Sequence, residues 1–312
     1  MPGHFGEWLQ GRLGPGGPVA LVTLACPSHG VRATLEAGAP PGIDGSEDLL
    51  GAARAQQFVA ALACVLPGRV RLTADLPPGS GAGMSTAALV ALARLVGAED
   101  GRIPAACLAV EGATDPLMCP APDAMLWAPR RAVALQALPR PPAAEIVGGL
   151  LGPPERTDPA DLHFPDIADL AKAWAATVAA ATGPCAQARD RRGKRGDGEG
   201  EVRAHGLGKR GDAAGEVRAP GLAQGDGQGA GRLADLARIA SDSAARTTAL
   251  RGPRDDPTPA LAARLGALGH ARAHTGPARA LIFPPGGAPA RAESALRGAG
   301  YACVLRFRTG AT

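Results

Sequence analysis

Apolar and polar positions change period repeatedly along the chain, and the changes mark out its elements. VALVTLAC (19–26) is a continuous apolar run ended by Pro27, and GVRATLEA (30–37) sets Arg and Thr against apolar positions in strict alternation. The two predict neighbouring strands. From Ser46 the spacing becomes helical, with Leu49, Leu50, Ala53, Phe58, Ala61, Leu62 and Val65 on one face, closed by Pro67 and Gly68. RVRLTADL (69–76) returns to alternation and predicts a strand, 85–96 and 105–111 predict helices of small and apolar residues, and RAVALQAL (131–138) predicts another strand. After PRPPAAE (139–145), whose prolines disfavour a packed element, a second αβ block follows. Its predicted helices cover 166–182, 233–250, 258–269 and 288–298, and its strands are ARALIF (278–283) and YACVLRF (301–307). Trp8, Trp127 and Trp174 are expected in the core or at a domain edge.

One stretch has no such period. GKRGDGEGEVRAHGL (193–207) nearly repeats as GKRGDAAGEVRAPGL (208–222), a tandem duplication rich in glycine and charge. Ordering a residue costs about 1–2 kcal/mol, and this composition buries too little apolar surface to offset it. Residues 186–231 are therefore expected to form a disordered insertion.

Composition narrows the classes. The 312 residues suffice for one large domain or two ordinary ones, and 46% hydrophobic content supplies their cores. A net charge of +4 without basic stripes interleaved with aromatics argues against a nucleic-acid partner. The six cysteines form no CxxC pair or zinc-spaced cluster, the apolar runs fall short of a membrane span, and no basic n-region precedes an apolar stretch. A cytoplasmic protein with reduced thiols, bound to no membrane, is expected.

Candidate chemistry centres on PPGSGAGMSTAAL (77–89), a strand exit, a loop of small residues and a helix start. A Walker P-loop would need a Gly-Lys pair, and the chain's three lysines (Lys172, Lys194, Lys209) all lie elsewhere. A dinucleotide fingerprint would need G-x-G-x-x-G, but Gly79, Gly81 and Gly83 are spaced G-x-G-x-G. What remains is either an anion cradle, in which amides at a helix N-terminus grip a phosphate, or a tight turn whose glycines only relieve sterics. In the first case the hydroxyls of Ser85 and Thr86 can cap the helix, bind phosphate oxygens or ligate Mg²⁺.

PPGSGAGMSTA (77–87) resembles the phosphate-binding motif of the GHMP kinases, with Ala82 and Met84 as departures and Ser85 matching the motif's second serine. PGHFGEWLQG (2–11) and AHTGPARALIF (273–283) are similar to the N- and C-terminal signatures of the L-threonine kinases of cobalamin synthesis. The resemblance covers both halves of the chain but not 186–231. It implies an α+β, two-domain GHMP kinase fold: an S5 domain 2-like ATP-binding domain over 1–145 and a ferredoxin-like αβ domain over 146–312. It further implies that ATP and Mg²⁺ are used and that L-threonine is the acceptor.

On this resemblance the ATP site comprises Pro77, Pro78, Gly79, Ser80, Gly81, Ala82, Gly83, Met84, Ser85 and Thr86. EGATDPLM (111–118) lies where the family carries its metal-binding glutamate and catalytic aspartate, although the Glu-to-Asp spacing is one longer than in the threonine kinases. Ser85 and Glu111 would hold Mg²⁺, and Asp115 would accept or orient the proton of the acceptor hydroxyl. Asp123 is second choice for that base. Glu7, Gln10, His274 and Thr275 fall in the two signatures and would line the acceptor pocket. Alternatives left open are a homoserine- or mevalonate-type kinase and a non-catalytic nucleotide-binding sensor on the same fold.

Overall fold

A computed structural model describes residues 1–45, 47–180 and 226–310. Ten strands form a sheet with the order β10-β7-β9-β8-β1-β2-β4-β3, extended by a hairpin of β5 and β6 that joins at β2. These are β1 (Pro2–Arg12), β2 (Val19–Ala37), β3 (Gly42–Asp44), β4 (Gly68–Ala74), β5 (Met125–Ala128), β6 (Val133–Ala137), β7 (Ala144–Leu150), β8 (Gly269–Arg272), β9 (Ala278–Phe283) and β10 (Ala302–Thr309). The described helices are α1 (Glu47–Leu50), α2 (Ala52–Ala61), α3 (Met84–Leu95), α4 (Ile103–Glu111), α5 (Ala168–Ala179), α6 (Asp226–Arg251), α7 (Thr258–Leu265) and α8 (Ala292–Gly298). All pairings are antiparallel except that of β3 with β4.

Strands from before and after the Pro-rich segment share this sheet. They meet along a narrow seam, where β1 pairs β8 through Glu7 opposite Arg272. The core crosses the seam too. Phe5 of β1 stands edge-on to Phe307 of β10 with ring centres 6.0 Å apart, and Trp8 lies 5.5 Å from Trp174 of α5. Gly148 of β7 has no room for a side chain, because a Cβ there would lie 2.5 Å from the Phe5 ring. Leu89 and Leu92 of α3 and Leu236 and Ile239 of α6 complete the main core. A smaller cluster packs α7 and α8 against β7 and β9 through Leu261, Leu265, Leu296, Leu281 and Phe283. Trp127 is also buried, so all three tryptophans are core residues.

Several expectations need correction. The two strands expected over 19–26 and 30–37 are one strand of 19 residues, β2, which passes through Pro27 and pairs β1 along its first part and β4 along its last. The helical face expected after 46 is broken between α1 and α2 at Gly51, leaving Leu49, Leu50, Phe58 and Leu62 buried but Val65 81% exposed. The helix expected over 258–269 stops at Leu265, where Gly266 takes a left-handed φ of 70° and frees Gly269–Arg272 to become β8. Of the insertion expected at 186–231, residues 186–225 lie outside the described residues, while 226–231 belong to the first turns of α6.

Candidate functional site

The site lies at the seam, in a cavity of about 310 Å³ bounded by β1, the 78–86 loop and helix start, the end of α4 and the 273–276 turn. It shares Glu155, Arg156, His274, Thr275 and Gly276 with a wider cavity of about 960 Å³.

In the loop, Gly79, Gly81 and Gly83 all take left-handed φ values, 76°, 77° and 67°. Close packing adds a second requirement at Gly81, where a Cβ would lie 2.3 Å from that of Ala273. The loop carbonyls are engaged by neighbouring backbone. Gly79 O accepts from Glu155 N at 2.9 Å, Ser80 O from Ala278 N at 3.0 Å, Gly81 O from Gly6 N at 3.0 Å and Ala82 O from His4 N at 3.2 Å. Then α3 begins, and its first i→i−4 bond runs from Ala87 N to Gly83 O at 2.8 Å. Among the described residues no side chain caps this helix at Gly83. The amides of Met84, Ser85 and Thr86 precede that bond and have no intrahelical acceptor, the condition for holding an anion. Pro78, Gly79, Gly81, Ala82, Gly83, Met84, Ser85 and Thr86 line the cavity. Pro77 and Ser80 do not; Ser80 is buried behind the loop.

The carboxylates converge on the same helix start. The Ser85 hydroxyl donates to Glu111 Oε1, and Thr86 Oγ1 lies 3.4 Å from Glu111 Oε2 and 3.5 Å from Asp115 Oδ2. Two groups not anticipated from sequence, both lining the same cavity, hold the carboxylates. Arg54 of α2 donates through Nη2 to Glu111 Oε1 at 2.6 Å. His4 of β1 donates through Nε2 to Asp115 Oδ2 at 3.1 Å. Burial pushes the Glu111 carboxyl above its ordinary range, against the pull of the Ser85 hydroxyl and the Arg54 guanidinium. For His4, burial lowers the imidazole pKa, but Asp115, with help from Glu7, outweighs it and raises the value to about 9.

Strand β1 brings His4, Glu7 and Gln10 into one cavity. Side chains of a regular strand alternate faces, so positions 4, 7 and 10 could not all point one way. Register shifts fall between His4 and Glu7 and again between Glu7 and Leu9, each restoring the parity, and Gly6 at φ 74° accommodates the first. Glu7 is buried, its Oε2 has no partner among the described residues, and burial raises its pKa to about 8. Gln10 Nε2 donates to Arg272 O at 2.9 Å. His274 stacks on Phe164 at 3.8 Å and contacts Asp161, while burial and Arg251 lower its pKa to about 4. His274 Nδ1 and Thr275 Oγ1 are buried without partners among the described residues. Asp123 is fully buried 3.2 Å from Arg140 and does not line the cavity, which removes it as a base.

The Ser85 hydroxyl and Glu111 carboxylate are oxygen donors of the kind a hard divalent cation takes, with Glu111 Oε1 already bonded to Ser85 and Arg54 and Oε2 left to face a metal. The Ser85 hydroxyl and Glu111 carboxylate converge, and Mg²⁺ is commonly held by one or two carboxylates with phosphate and water oxygens completing the shell. Among the described residues no group of three or more His, Cys, Asp or Glu side chains could hold a metal, so these two oxygens would need a bound phosphate to complete the site.

No family model matches the chain, and no curated protein sequence matches it. Solved structures do. A Listeria monocytogenes protein assigned as a homoserine kinase matches with a TM-score of 0.52 and 13% identity, covering 100% of this chain and 97% of that one. Lactococcus lactis galactokinase, solved with galactose, matches with a TM-score of 0.51 and 11% identity, covering 100% and 92%. At such identities the likeness is one of fold: the chain has the α+β fold of the GHMP kinases, as its motifs imply. No helix among the described residues is long and apolar enough to cross a membrane.

Proposed function

We propose that the protein is an ATP-dependent small-molecule kinase that transfers the γ-phosphoryl group to the side-chain hydroxyl of L-threonine, giving L-threonine O-3-phosphate for cobalamin biosynthesis. The observation that carries this reading is the meeting of Glu111 and Asp115 with Ser85 and Thr86 at the uncapped start of α3. In this reading the amides of that helix start hold the triphosphate. Ser85 and Glu111 hold Mg²⁺, which neutralises charge on the phosphates. Asp115, oriented by His4 and Thr86, lies where it can take the proton of the acceptor hydroxyl as its oxygen bonds to the γ phosphorus and the bond to the β-phosphate oxygen breaks.

Residues 1–145 form the ATP-binding domain and 146–312 its partner, with the acceptor lying between β1 and the 273–276 turn. The acceptor class follows from Glu7. A buried carboxyl with a free oxygen, beside Gln10, suits a ligand that brings an ammonium group, whose charge would displace the proton that burial holds on Glu7. This favours threonine or homoserine over mevalonate or a sugar. The enzyme works in the cytoplasm. ADP release measured with threonine, serine, homoserine and mevalonate, with and without Mg²⁺, tests the assignment. Threonine is expected to give the highest kcat/KM, and indifference to threonine would remove it.

A further inference from the structure

Three arginines line the cavity, Arg54, Arg130 and Arg156; Arg130 and Arg156 each donate to a backbone carbonyl, of Asp161 and Asp48, while Arg54 alone of the three has a buried guanidinium nitrogen without a partner among the described residues. It sits in the first turn of α2, and its Nη2 reaches Glu111 Oε1 at 2.6 Å and Ser85 Oγ at 3.4 Å. Its other terminal nitrogen, Nη1, is buried and has no partner among the described residues. A desolvated, charged donor without an acceptor is costly, and native structures seldom keep one without use. Its setting adds to the cost. Ser85 belongs to the first turn of α3, so the guanidinium stands beside the positive end of a helix dipole, where a cation is disfavoured. Glu111 offsets that penalty for the half of the fork it touches. The other half has no acceptor, and Arg54 lines a cavity whose glycine loop contains no lysine.

An oligoanion satisfies all of these at once. A transferring phosphoryl group spreads charge over three equatorial oxygens, and the planar arginine fork can bond a carboxylate with one nitrogen while offering the other to phosphate. We propose that Arg54 is a further phosphate-binding residue of the site: Nη1 takes an oxygen of the terminal phosphoryl group of ATP, and Glu111 positions the guanidinium through Nη2. Arg54 then supplies the fixed positive charge that other phosphate loops draw from a lysine. The assignment rests on the kinase reading given above.

Calorimetric titration of the full chain with ATP and with ADP, each with EDTA and with Mg²⁺, separates the possibilities. Arg54→Ala is expected to weaken ATP about ten- to a hundredfold, the range for a hydrogen bond to a charged group, and ADP less than about threefold. Arg54→Lys, which keeps the charge but loses the fork, is expected to fall between, and it also decides the matter if the alanine variant does not fold. Free guanidinium ion is expected to restore part of the ATP affinity of Arg54→Ala and to leave the wild type unchanged. Equal losses for ATP and ADP, or an unchanged ATP-to-ADP ratio in both variants, would overturn the role of Arg54. If that happens while the wild type binds ATP and phosphorylates an acceptor, only this assignment falls. A wild type that binds neither nucleotide overturns it together with the kinase reading.

Discussion

From Gly79 to Thr86 the cavity wall is mostly backbone, with three left-handed glycines and a helix start that no side chain caps among the described residues. The wall contributed by β1, bonded to it through His4 N and Gly6 N, is made of side chains instead: His4, Glu7 and Gln10, between 3% and 8% exposed. The first wall offers partial charges fixed by geometry, which do not titrate and suit any phosphate tail. The second holds buried ionisable groups whose charge depends on one another and on pH. Damage to the loop should therefore act through shape, and damage to β1 through protonation.

The largest effect is expected where the walls meet, at Asp115, which touches Thr86 on one side and His4 on the other. Asp115→Asn keeps the shape but removes the base. Turnover should fall by about 10²–10⁴, the usual contribution of a positioned proton acceptor, while calorimetry should show ATP affinity within about threefold of the wild type. Equal losses in turnover and ATP binding would abolish the division of labour. A nucleotide sensor would have no turnover to lose.

Next in size is a steric test of the backbone wall. Gly81→Ala adds a Cβ 2.3 Å from that of Ala273 at a φ of +77°, so both strain and a clash between the loop and the 273–276 turn are expected. The cost should be roughly 1–3 kcal/mol in denaturant unfolding, with a matching loss of ATP affinity. Gly97→Ala is the control. Its φ is +72°, but apart from its chain neighbours no described residue comes within 4 Å of the added Cβ, so it should show the strain alone and leave ATP binding unchanged. Similar ATP affinities in the two variants would mean that the loop geometry is not what holds the nucleotide.

The backbone wall was legible because glycine spacing and a following helix start are local signals, readable without knowing what packs nearby. The same holds for β9 and α3, whose strand and helix periods match the observed spans nearly residue for residue. The side-chain wall was legible only in part. Glu7 and Gln10 were singled out by motif, yet PGHFGEWLQGR shows no clean alternation, since two register shifts change its parity and nearly every position of β1 is buried. His4 lies inside that motif, but its role depends on a carboxylate 111 residues away. Arg54 lies on a helix whose apolar face gives no hint that a polar neighbour reaches Glu111, 57 residues on. Long-range ion pairs of this kind leave no periodic trace. The short strand β8 was masked by an apparently continuous helix, which Gly266 ends.

A smaller effect, in stability, tests the side-chain wall. The His4 pKa is raised from 6.5 to about 9, so the stabilisation from its imidazolium is complete below pH 6.5 and is lost as pH rises through about 9. Glu7 is raised from 4.5 to about 8, so between those values the folded chain keeps a proton that the unfolded chain releases, and stability again falls with rising pH. The two slopes have the same sign and overlap between pH 6.5 and 8. Denaturant unfolding of the wild type from pH 5 to pH 9.5 should therefore show a decline on the order of a few kcal/mol across this range. His4→Gln should flatten the part above about pH 6.5, and Glu7→Gln the part below about pH 8. Gly81→Ala, though less stable throughout, should keep the full slope, because the wall it disturbs contains nothing that titrates. If it flattens the slope as His4→Gln does, the two walls are one coupled structure, and the buried charge on β1 depends on the shape of the loop.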